Sequence, residues 1–220
     1  MKIFVDTGSI KDIEALANLG VIDGVTTNPS LMAKEKGDGH QIIRDICRIV
    51  QGPVSAEVVA TDTDGMLREG RELASIDPHV VVKVPFTKDG VKACRTLAAE
   101  GTRVNVTLIF SATQALLAAK VGASYVSPFI GRLDDVATDG MTLIEEIVEI
   151  FDNYEFSTEV LVASVRGPIH VVQAARLGAD VCTCPPSVIE NMFKHPLTDI
   201  GLAKFLQDYE KAREALATAR

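Results

Sequence analysis

The sequence lacks any cluster of cysteine and histidine that would hold a metal ion. Its four cysteines and four histidines are scattered through 220 residues, and their spacing matches neither zinc-binding nor thioredoxin-like motifs. We therefore predict no metal site, and we interpret the cysteines as small buried side chains of a protein in a reducing cytosol. These cysteines are Cys47, Cys94, Cys182 and Cys184.

The sequence also lacks an excess of basic residues and any long uncharged apolar run. Its formal net charge of −8 argues against nucleic acids and anionic membranes as partners, since both favour clustered lysine and arginine. No segment approaches the roughly 18 uncharged apolar residues of a membrane helix. The opening residues MKIFVD are typical of a strand rather than a signal peptide, so we expect a soluble, cytoplasmic protein.

Short apolar segments rich in valine and isoleucine alternate with longer amphipathic segments along the chain. The short segments are typical of parallel strands that are buried on both faces. The predicted strands are Lys2–Asp6, Gly24–Asn28, Val54–Val58, Val80–Val84, Val104–Ile109, Ser124–Ser127, Val160–Ala163 and Val181–Cys184. Helical periodicity is clearest in the segments Ile10–Leu19, Ser111–Val121 and Thr142–Phe151.

Eight such strand–helix units predict a single α/β domain over residues 1–220. We expect a closed (β/α)8 TIM barrel rather than an open sheet. An extra amphipathic helix, Leu202–Ala219, follows the eighth unit in a C-terminal tail over residues 201–220. Its apolar stripe either covers the barrel or packs on a neighbouring subunit, and the sequence leaves both alternatives open.

Polar side chains cluster where the predicted strands end. In TIM barrels the catalytic groups lie at the carboxyl ends of the strands, around one mouth of the barrel. Seven of the eight predicted strands carry polar residues at or just after that end. They are Asp6, Thr26, Thr27, Asn28, Glu57, Lys83, Asn105, Thr107, Ser127, Arg132, Ser164 and Arg166.

Lys83 stands out because it interrupts the most apolar predicted strand, Val80–Val84. Burial makes an ammonium group costly, so this position favours a neutral amine. A neutral amine can attack a ketone and form an imine, which is Schiff-base chemistry. The alternative is a structural lysine that pairs with a carboxylate of the barrel, either Glu57 or Asp6.

Glu57 and Asp6 supply two carboxylates for this one lysine. One of them can pair with Lys83, while the other can move protons, directly or through a water held by Thr107. Glu57 could equally form a simple ion pair. Asp6 could instead cap the helix that follows it, since capping carboxylates are common at helix starts.

Arg132 and Arg166 follow neighbouring predicted strands, and two adjacent guanidinium groups are suited to binding one phosphate. The segment Arg166-Gly167-Pro168 also opens a predicted helix, whose free N–H groups favour an anion. The alternative is that both are ordinary surface arginines.

Five segments of the chain together form a specific pattern: Phe4–Thr7, Gly24–Leu31, Val82–Pro85, Asn105–Ser111 and Ser127–Arg132. With these segments the chain resembles the transaldolase family, in particular its short subfamily, which also contains fructose-6-phosphate aldolases. The resemblance runs from Lys2 to about Tyr209. At Gly167 and Pro186 the chain departs from the bulkier residues that short relatives often carry, a difference that could alter the rim of the phosphate pocket.

The resemblance implies a role for each polar residue. Lys83 would form the Schiff base, Asp6 would act as acid and base near the substrate hydroxyls, and Glu57 with Thr107 would hold the catalytic water. The remaining residues would bind substrate: Asn28, Asn105 and Ser127 at the dihydroxyacetone part, Arg132, Ser164 and Arg166 at the phosphate, with Thr26 and Phe129 lining the same site.

The activity that the resemblance implies is the transfer of a dihydroxyacetone unit in the non-oxidative pentose phosphate pathway. Sedoheptulose 7-phosphate and glyceraldehyde 3-phosphate would give erythrose 4-phosphate and fructose 6-phosphate, with no metal or organic cofactor. Short relatives form pentamers or decamers in which the terminal helix reaches a neighbour. We therefore also expect a homo-oligomer.

Two residues favour transfer over release of free dihydroxyacetone. Fructose-6-phosphate aldolases resemble this chain but carry glutamine at the position of Glu57 and tyrosine at that of Phe129. Phe129 has no hydroxyl with which to protonate the bound enamine, so the enamine waits for an acceptor aldehyde. An aldolase that releases dihydroxyacetone remains the alternative within the class, and a non-catalytic barrel that binds sugar phosphates is the alternative outside it.

Overall fold

Eight parallel strands form a closed barrel in which each strand pairs with its neighbours in chain order, and β8 closes onto β1. The structure is a computed structural model that describes residues 1–218. The TIM barrel predicted from the alternating segments is therefore confirmed. The strands are β1 (Lys2–Asp6), β2 (Gly24–Thr26), β3 (Val54–Glu57), β4 (Val80–Pro85), β5 (Val104–Ile109), β6 (Tyr125–Pro128), β7 (Glu159–Val162) and β8 (Val181–Cys184).

Helices surround the barrel, and several have a serine, threonine or aspartate at the N-cap whose side chain accepts a backbone N–H, such as Ser9 and Thr87. Gly178 ends one of them with a positive φ of 83°, where glycine is favoured. The helices are α1 (Ile10–Asn18), α2 (Pro29–Met32), α3 (Gly39–Val50), α4 (Thr63–Ala74), α5 (Lys88–Ala99), α6 (Ala112–Lys120), α7 (Ile130–Asp134), α8 (Gly140–Asn153), α9 (Pro168–Leu177), α10 (Pro186–Met192) and α11 (Pro196–Thr218).

Alternate residues of each strand point into the barrel, because the side-chain period of a strand is two. The lower part of the interior is closed by a compact apolar cluster. Strand residues of the opposite parity pack against the surrounding helices and form the larger core. This arrangement leaves the upper interior for polar side chains. The inner apolar cluster consists of Phe4, Val81, Tyr125, Leu161, Ala163 and Val181.

The sequence predicted the strands to within two residues at each end. β2 ends at Thr26 rather than Asn28, because Asn28 is the N-cap of α2 and its side chain accepts the N–H of Leu31. β3 stops one residue before the predicted end, β4 runs one residue further, and β6 and β7 are each displaced by one residue. These shifts do not alter which residues face inward.

The C-terminal helix α11 begins six residues before the predicted start at Leu202. The predicted end, Ala219, lies outside the described residues. Every described side chain after Glu190 is exposed apart from the half-buried Gly201, so α11 does not cover the barrel of its own chain.

All four cysteines are buried and free, as the sequence predicted. Burial raises the pKa of the Cys47 and Cys94 thiols to about 12, which keeps both groups protonated and unreactive. In residues 1–218 no helix combines the length and the apolar character that a membrane crossing requires.

Candidate active site

A cavity of about 350 Å³ opens at the carboxyl ends of the strands. Its size is within the range of small-molecule sites, and it lies at the mouth where TIM barrels carry their active sites. Ten of the twelve site residues predicted from the sequence line it. These ten are Asp6, Thr26, Asn28, Lys83, Thr107, Ser127, Phe129, Arg132, Ser164 and Arg166.

Lys83 lies at the floor of this cavity and is only 5% exposed. Its Nζ lies 2.9 Å from Oε2 of Glu57 on the neighbouring strand β3 and donates a hydrogen bond of 3.0 Å to the carbonyl oxygen of Thr27. The pairing follows from register, since Glu57 is aligned with Lys83 between β3 and β4. The ion pair foreseen as one alternative is therefore present, and the same amine also lines the cavity.

Glu57 does not line the cavity, although the sequence placed it among the catalytic residues. Its carboxylate is 14% exposed and lies beside the amine of Lys83. An acceptor at hydrogen-bond distance can take a proton from the ammonium without any movement of either side chain.

Asp6 points from the end of β1 into the cavity, and its Oδ1 accepts a hydrogen bond of 2.7 Å from the Thr26 hydroxyl. Burial raises the pKa of the Asp6 carboxyl, while the bond from Thr26 and the charge of Lys83 oppose this rise. The alternative that Asp6 caps α1 is wrong, because Ser9 accepts the N–H of Asp12 and fills that position.

The hydroxyl of Thr107 is buried and has no hydrogen-bond partner among the described residues. Buried hydroxyl groups are nearly always satisfied by protein or by ordered water, so an orphan in a polar cavity indicates where a water or a ligand atom binds. Thr107 faces the cavity from β5, one inward position beyond Asn105. This position fits a water or ligand oxygen held in the cavity that Lys83 also lines.

Asn105 is fully buried beneath the cavity rather than lining it. Its Oδ1 accepts a hydrogen bond of 2.7 Å from Ser127, and its Nδ2 donates one of 3.1 Å to Ser55. Asn105 therefore holds Ser127 in place from below, and Ser127 presents its hydroxyl to the cavity.

Two polar residues of the interior, Ser55 and Thr183, were not predicted as site residues. Ser55 anchors Asn105, and Thr183 lines the cavity with its hydroxyl 2.7 Å from that of Thr26. Both could have been predicted from strand alternation. Ser55 lies two residues before Glu57 on β3, and Thr183 lies two residues after the inward-facing Val181 on β8. They were missed because only Glu57 was selected on the third predicted strand and no polar residue was selected on the eighth.

The two predicted arginines come together at one side of the rim. Arg132 lies on the short helix α7, where its guanidinium carbon is 5.0 Å from the centre of the Phe129 ring. Arg166 lies in the loop between β7 and α9, and its Nη2 lies 2.6 Å from Oδ2 of Asp135. Both side chains line the cavity, so the arrangement favours an anionic group at this side.

The backbone of the same loop is unusual at Ser164, which has a positive φ of 63°. Non-glycine residues rarely adopt this conformation, and such strain is concentrated at functional sites. At Gly167, where bulkier residues were expected, an added Cβ would meet no other described atom within 4 Å. The rim is consequently open beside the two arginines.

At the opposite side of the cavity, Asn28 uses its side-chain oxygen to cap α2 at 2.9 Å from the Leu31 nitrogen. This bond orients the amide, so its N–H₂ donors are the groups left for a ligand. The site thus combines one amine, two carboxylates and several hydroxyl and amide groups at its floor with two guanidinium groups at its rim. Such a site can bind a polyhydroxylated molecule that ends in a phosphate.

Comparison with known sequences gives three findings. The family model described as transaldolase/fructose-6-phosphate aldolase matches residues 3–219. A protein named "Probable transaldolase" from Methanococcus maripaludis is 59% identical over 210 residues, which cover 96% of this chain and 98% of the relative. Another with the same name from Syntrophobacter fumaroxidans is 56% identical over 218 residues, covering 97% and 99% respectively.

Among solved structures, a 3-hexulose-6-phosphate synthase matches with a TM-score of 0.63 over 84% of this chain and 90% of the other. The two sequences are only 17% identical, so this match supports the barrel fold alone.

Proposed function

Because the chain belongs to the transaldolase/fructose-6-phosphate aldolase family, we propose that it is a transaldolase that forms a Schiff base on Lys83. The observation that carries the proposal is the position of the Lys83 amine, which is buried beside Glu57 and still lines a polar cavity. The proposed reaction moves a dihydroxyacetone unit from sedoheptulose 7-phosphate to glyceraldehyde 3-phosphate, giving erythrose 4-phosphate and fructose 6-phosphate.

The first step requires a neutral amine. Glu57 takes a proton from the ammonium of Lys83 across the 2.9 Å that separate the two groups. The amine then adds to C2 of the ketose phosphate, and loss of water from the carbinolamine gives a protonated imine. A water at the orphan hydroxyl of Thr107 can carry protons between Glu57 and the oxygen that leaves.

The second step breaks the C3–C4 bond. Asp6 accepts the proton of the C4 hydroxyl, the C4–O bond becomes a carbonyl, and the electron pair of the C3–C4 bond flows into the imine to give an enamine. Burial raises the pKa of Asp6, which makes this carboxylate a stronger base than an exposed one. In the reverse direction Asp6 returns the proton to the new hydroxyl as the acceptor aldehyde adds.

Arg132, Arg166 and Ser164 bind the phosphate at the rim, opposite the end of the substrate that reacts. Two guanidinium groups offer several parallel N–H donors to phosphate oxygens, and binding energy from this remote group orients the ketose over Lys83. Asn28 and Ser127 hold the dihydroxyacetone hydroxyls at the floor, and Asn105 fixes Ser127 from below.

The Schiff base is tested by trapping. Protein incubated with fructose 6-phosphate and borohydride should carry one reduced dihydroxyacetone adduct, and the mass of the peptide should place it on Lys83. The variant Lys83→Met should be folded by circular dichroism and should carry no adduct. The exposed Lys120 of α6 gives the matched control, since Lys120→Met should be trapped like the wild-type protein. Full transfer activity in Lys83→Met would overturn the mechanism.

Transfer and release are then separated by the dependence on an acceptor. With fructose 6-phosphate alone, a transaldolase holds the enamine, so free dihydroxyacetone should stay near background. Adding erythrose 4-phosphate should start turnover. Steady release of dihydroxyacetone without an acceptor would instead establish the aldolase. Phosphate binding without any trapped adduct would establish a non-catalytic binding barrel.

We further propose that the protein works in the cytoplasm, in the non-oxidative pentose phosphate pathway, as a homo-oligomer of five or ten subunits. The free, buried cysteines are suited to a reducing compartment. The exposed apolar stripe of α11 supports the oligomer, because monomeric proteins rarely leave a long apolar face uncovered.

A further inference from the structure

His170 lies in the first turn of α9, outside the cavity but directly behind the arginine rim. Its Nδ1 accepts a hydrogen bond from the backbone N–H of Arg166 at 3.2 Å. Its Nε2 lies 3.2 Å from Oδ2 of Asp134, the last residue of α7, and the imidazole is 19% exposed. One side chain thus connects the loop that carries Arg166 with the helix that carries Arg132.

The hydrogen bond from Arg166 fixes which nitrogen of the His170 ring carries the proton. Because Nδ1 accepts the N–H of Arg166, the proton of the neutral ring resides on Nε2, which lies 3.2 Å from Oδ2 of Asp134. The other oxygen of Asp134 accepts the N–H of Gly140, the first residue of α8, at 3.0 Å. Asp134 is therefore held in place itself, and it gives His170 a fixed point of attachment.

The two rim elements are also packed without space between them. A Cβ at Gly131 of α7 would lie 2.1 Å from the carbonyl oxygen of Ser164 and 2.6 Å from Nε of Arg166. Direct backbone contact sets how close the two elements lie. The hydrogen bond that His170 Nδ1 accepts sets how the backbone of Arg166 is rotated.

The geometry points to His170 as a positioning residue that orients Arg166, so that both rim arginines reach the same phosphate. This inference rests on the proposed function only for the identity of the substrate. His170 touches no ligand itself, since it does not line the cavity. Without its acceptor nitrogen, the Arg166 N–H loses its partner and the loop is free to rotate.

The direct test measures the binding of inorganic phosphate by titration calorimetry, which needs no catalysis. His170→Leu should weaken binding about three- to tenfold, the effect expected for one lost hydrogen bond. His170→Asn keeps an oxygen near the position of Nδ1 and should bind like the wild-type protein, whereas His170→Gln places its polar atoms near Nε2 and should bind like His170→Leu. The control is His79→Leu at the other end of the barrel, where His79 pairs with Asp77 at 2.8 Å.

A role limited to folding predicts different results. In that case the variants would lower the melting temperature while the folded protein bound phosphate normally, and asparagine and glutamine would behave alike. Either outcome overturns the inference. If His170→Leu does not fold, the comparison of His170→Asn with His170→Gln still decides, because only the proposed role separates them.

Steady-state kinetics give an independent measurement. His170→Leu should raise KM for fructose 6-phosphate by about the same factor as it weakens phosphate binding, with kcat changed less than twofold. Borohydride trapping at saturating substrate should remain complete. A fall in kcat with unchanged KM would contradict the inference and leave the Schiff base standing. If the wild-type protein carried no trapped adduct, the proposed function would be refuted, whereas the phosphate titration would still test the role of His170.

Discussion

At the floor of the cavity Asp6 and Lys83 line the wall and Glu57 lies behind Lys83, so among the described residues two carboxylates share one cation, and this imbalance determines how each group behaves. Lys83 is paired with Glu57 at 2.9 Å, so the charges of these two groups compensate each other locally. Asp6 is left with a hydroxyl partner, Thr26, and with the more distant charge of Lys83. Burial therefore dominates at Asp6 and raises its pKa, which suits a group that must accept and return a proton.

The variant Asp6→Asn should lose activity about 10²- to 10⁴-fold and gain stability at neutral pH. The raised pKa means that the folded protein keeps a proton on Asp6 where the unfolded chain has lost it. Hence the free energy of unfolding of the wild-type protein falls as the pH rises from the ordinary value of 3.8 through the raised pKa. Asparagine does not titrate, so the advantage of the variant should grow over this window.

Urea unfolding between pH 4 and pH 8 measures the effect. The exposed Glu146 of α8 provides a control, because Glu146→Gln should follow the wild-type curve. An Asp6→Asn protein that is less stable than the wild-type protein at pH 8 would show that attraction to Lys83 outweighs the cost of burial.

Phe129 controls the fate of the enamine in our proposal. Its ring lines the cavity, lies 5.8 Å from the ring of Phe110 and supports Arg132. The variant Phe129→Tyr adds an O–H donor to the cavity, so release of dihydroxyacetone without an acceptor should rise about a hundredfold, the low end of proton-transfer catalysis. Trapping on Lys83 should be unchanged. Phe110→Tyr, outside the cavity lining, should leave release at the wild-type level.

At the scale of elements, the periodicity of the sequence explains why most of the site could be predicted. The alternation of inward and outward side chains along a strand places Asp6, Lys83, Thr107 and Ser127 on the inner face. A shift of one or two residues in a strand end does not change this. The same alternation could not show that Asn105 lies beneath the cavity. The height of a side chain along the barrel axis depends on the relative stagger of the strands, which the sequence pattern does not give.

The two short helices α2 and α7 could not be predicted from the sequence. The segments of α2 and α7 are too short to show helical periodicity, and no element was predicted for them. The two arginines were nevertheless predicted to converge, since they follow neighbouring strands. Their supporting residues are Asp134 and Asp135 at the end of α7 and His170 in α9, and only the folded chain brings these two elements together.

The close contact of α7 with the loop before α9 is open to a direct test. In Gly131→Ala the new methyl group would collide with the carbonyl of Ser164, so one element must move. We expect a loss of about 1–3 kcal/mol in the free energy of unfolding, as for other overpacked sites, and weaker binding of inorganic phosphate.

The matched variant is Gly201→Ala in α11, where an added Cβ meets no described atom within 4 Å. That change should stabilise the helix by about 0.5–1 kcal/mol, because alanine is preferred to glycine in helices, and it should leave phosphate binding unchanged. Phosphate binding by Gly131→Ala equal to that of the wild-type protein would show that the rim tolerates displacement.

At the scale of the whole molecule, the barrel is closed, whereas α11 leaves its apolar face exposed. Its apolar side chains recur at helical spacing on one face, and all are exposed. Phe205 and Leu216 are 74% and 73% exposed and belong to this one apolar stripe, a pattern that is expected where a second surface covers it. The sequence showed this stripe but not its environment, because an apolar face looks the same whether its own barrel or another subunit buries it.

The double variant Phe205→Glu and Tyr209→Glu should therefore dissociate the proposed oligomer. Two carboxylates in a buried interface would lose their hydration, and neither would gain a partner from an apolar surface. Light scattering after gel filtration should show the mass fall from a multiple of 23.6 kDa to that of one chain. Tyr154→Glu, at an equally exposed aromatic residue that ends α8, should leave the mass unchanged. If the wild-type protein is itself a monomer, the oligomer proposal is wrong, and the site is then complete within one chain, since every group that it uses comes from the barrel.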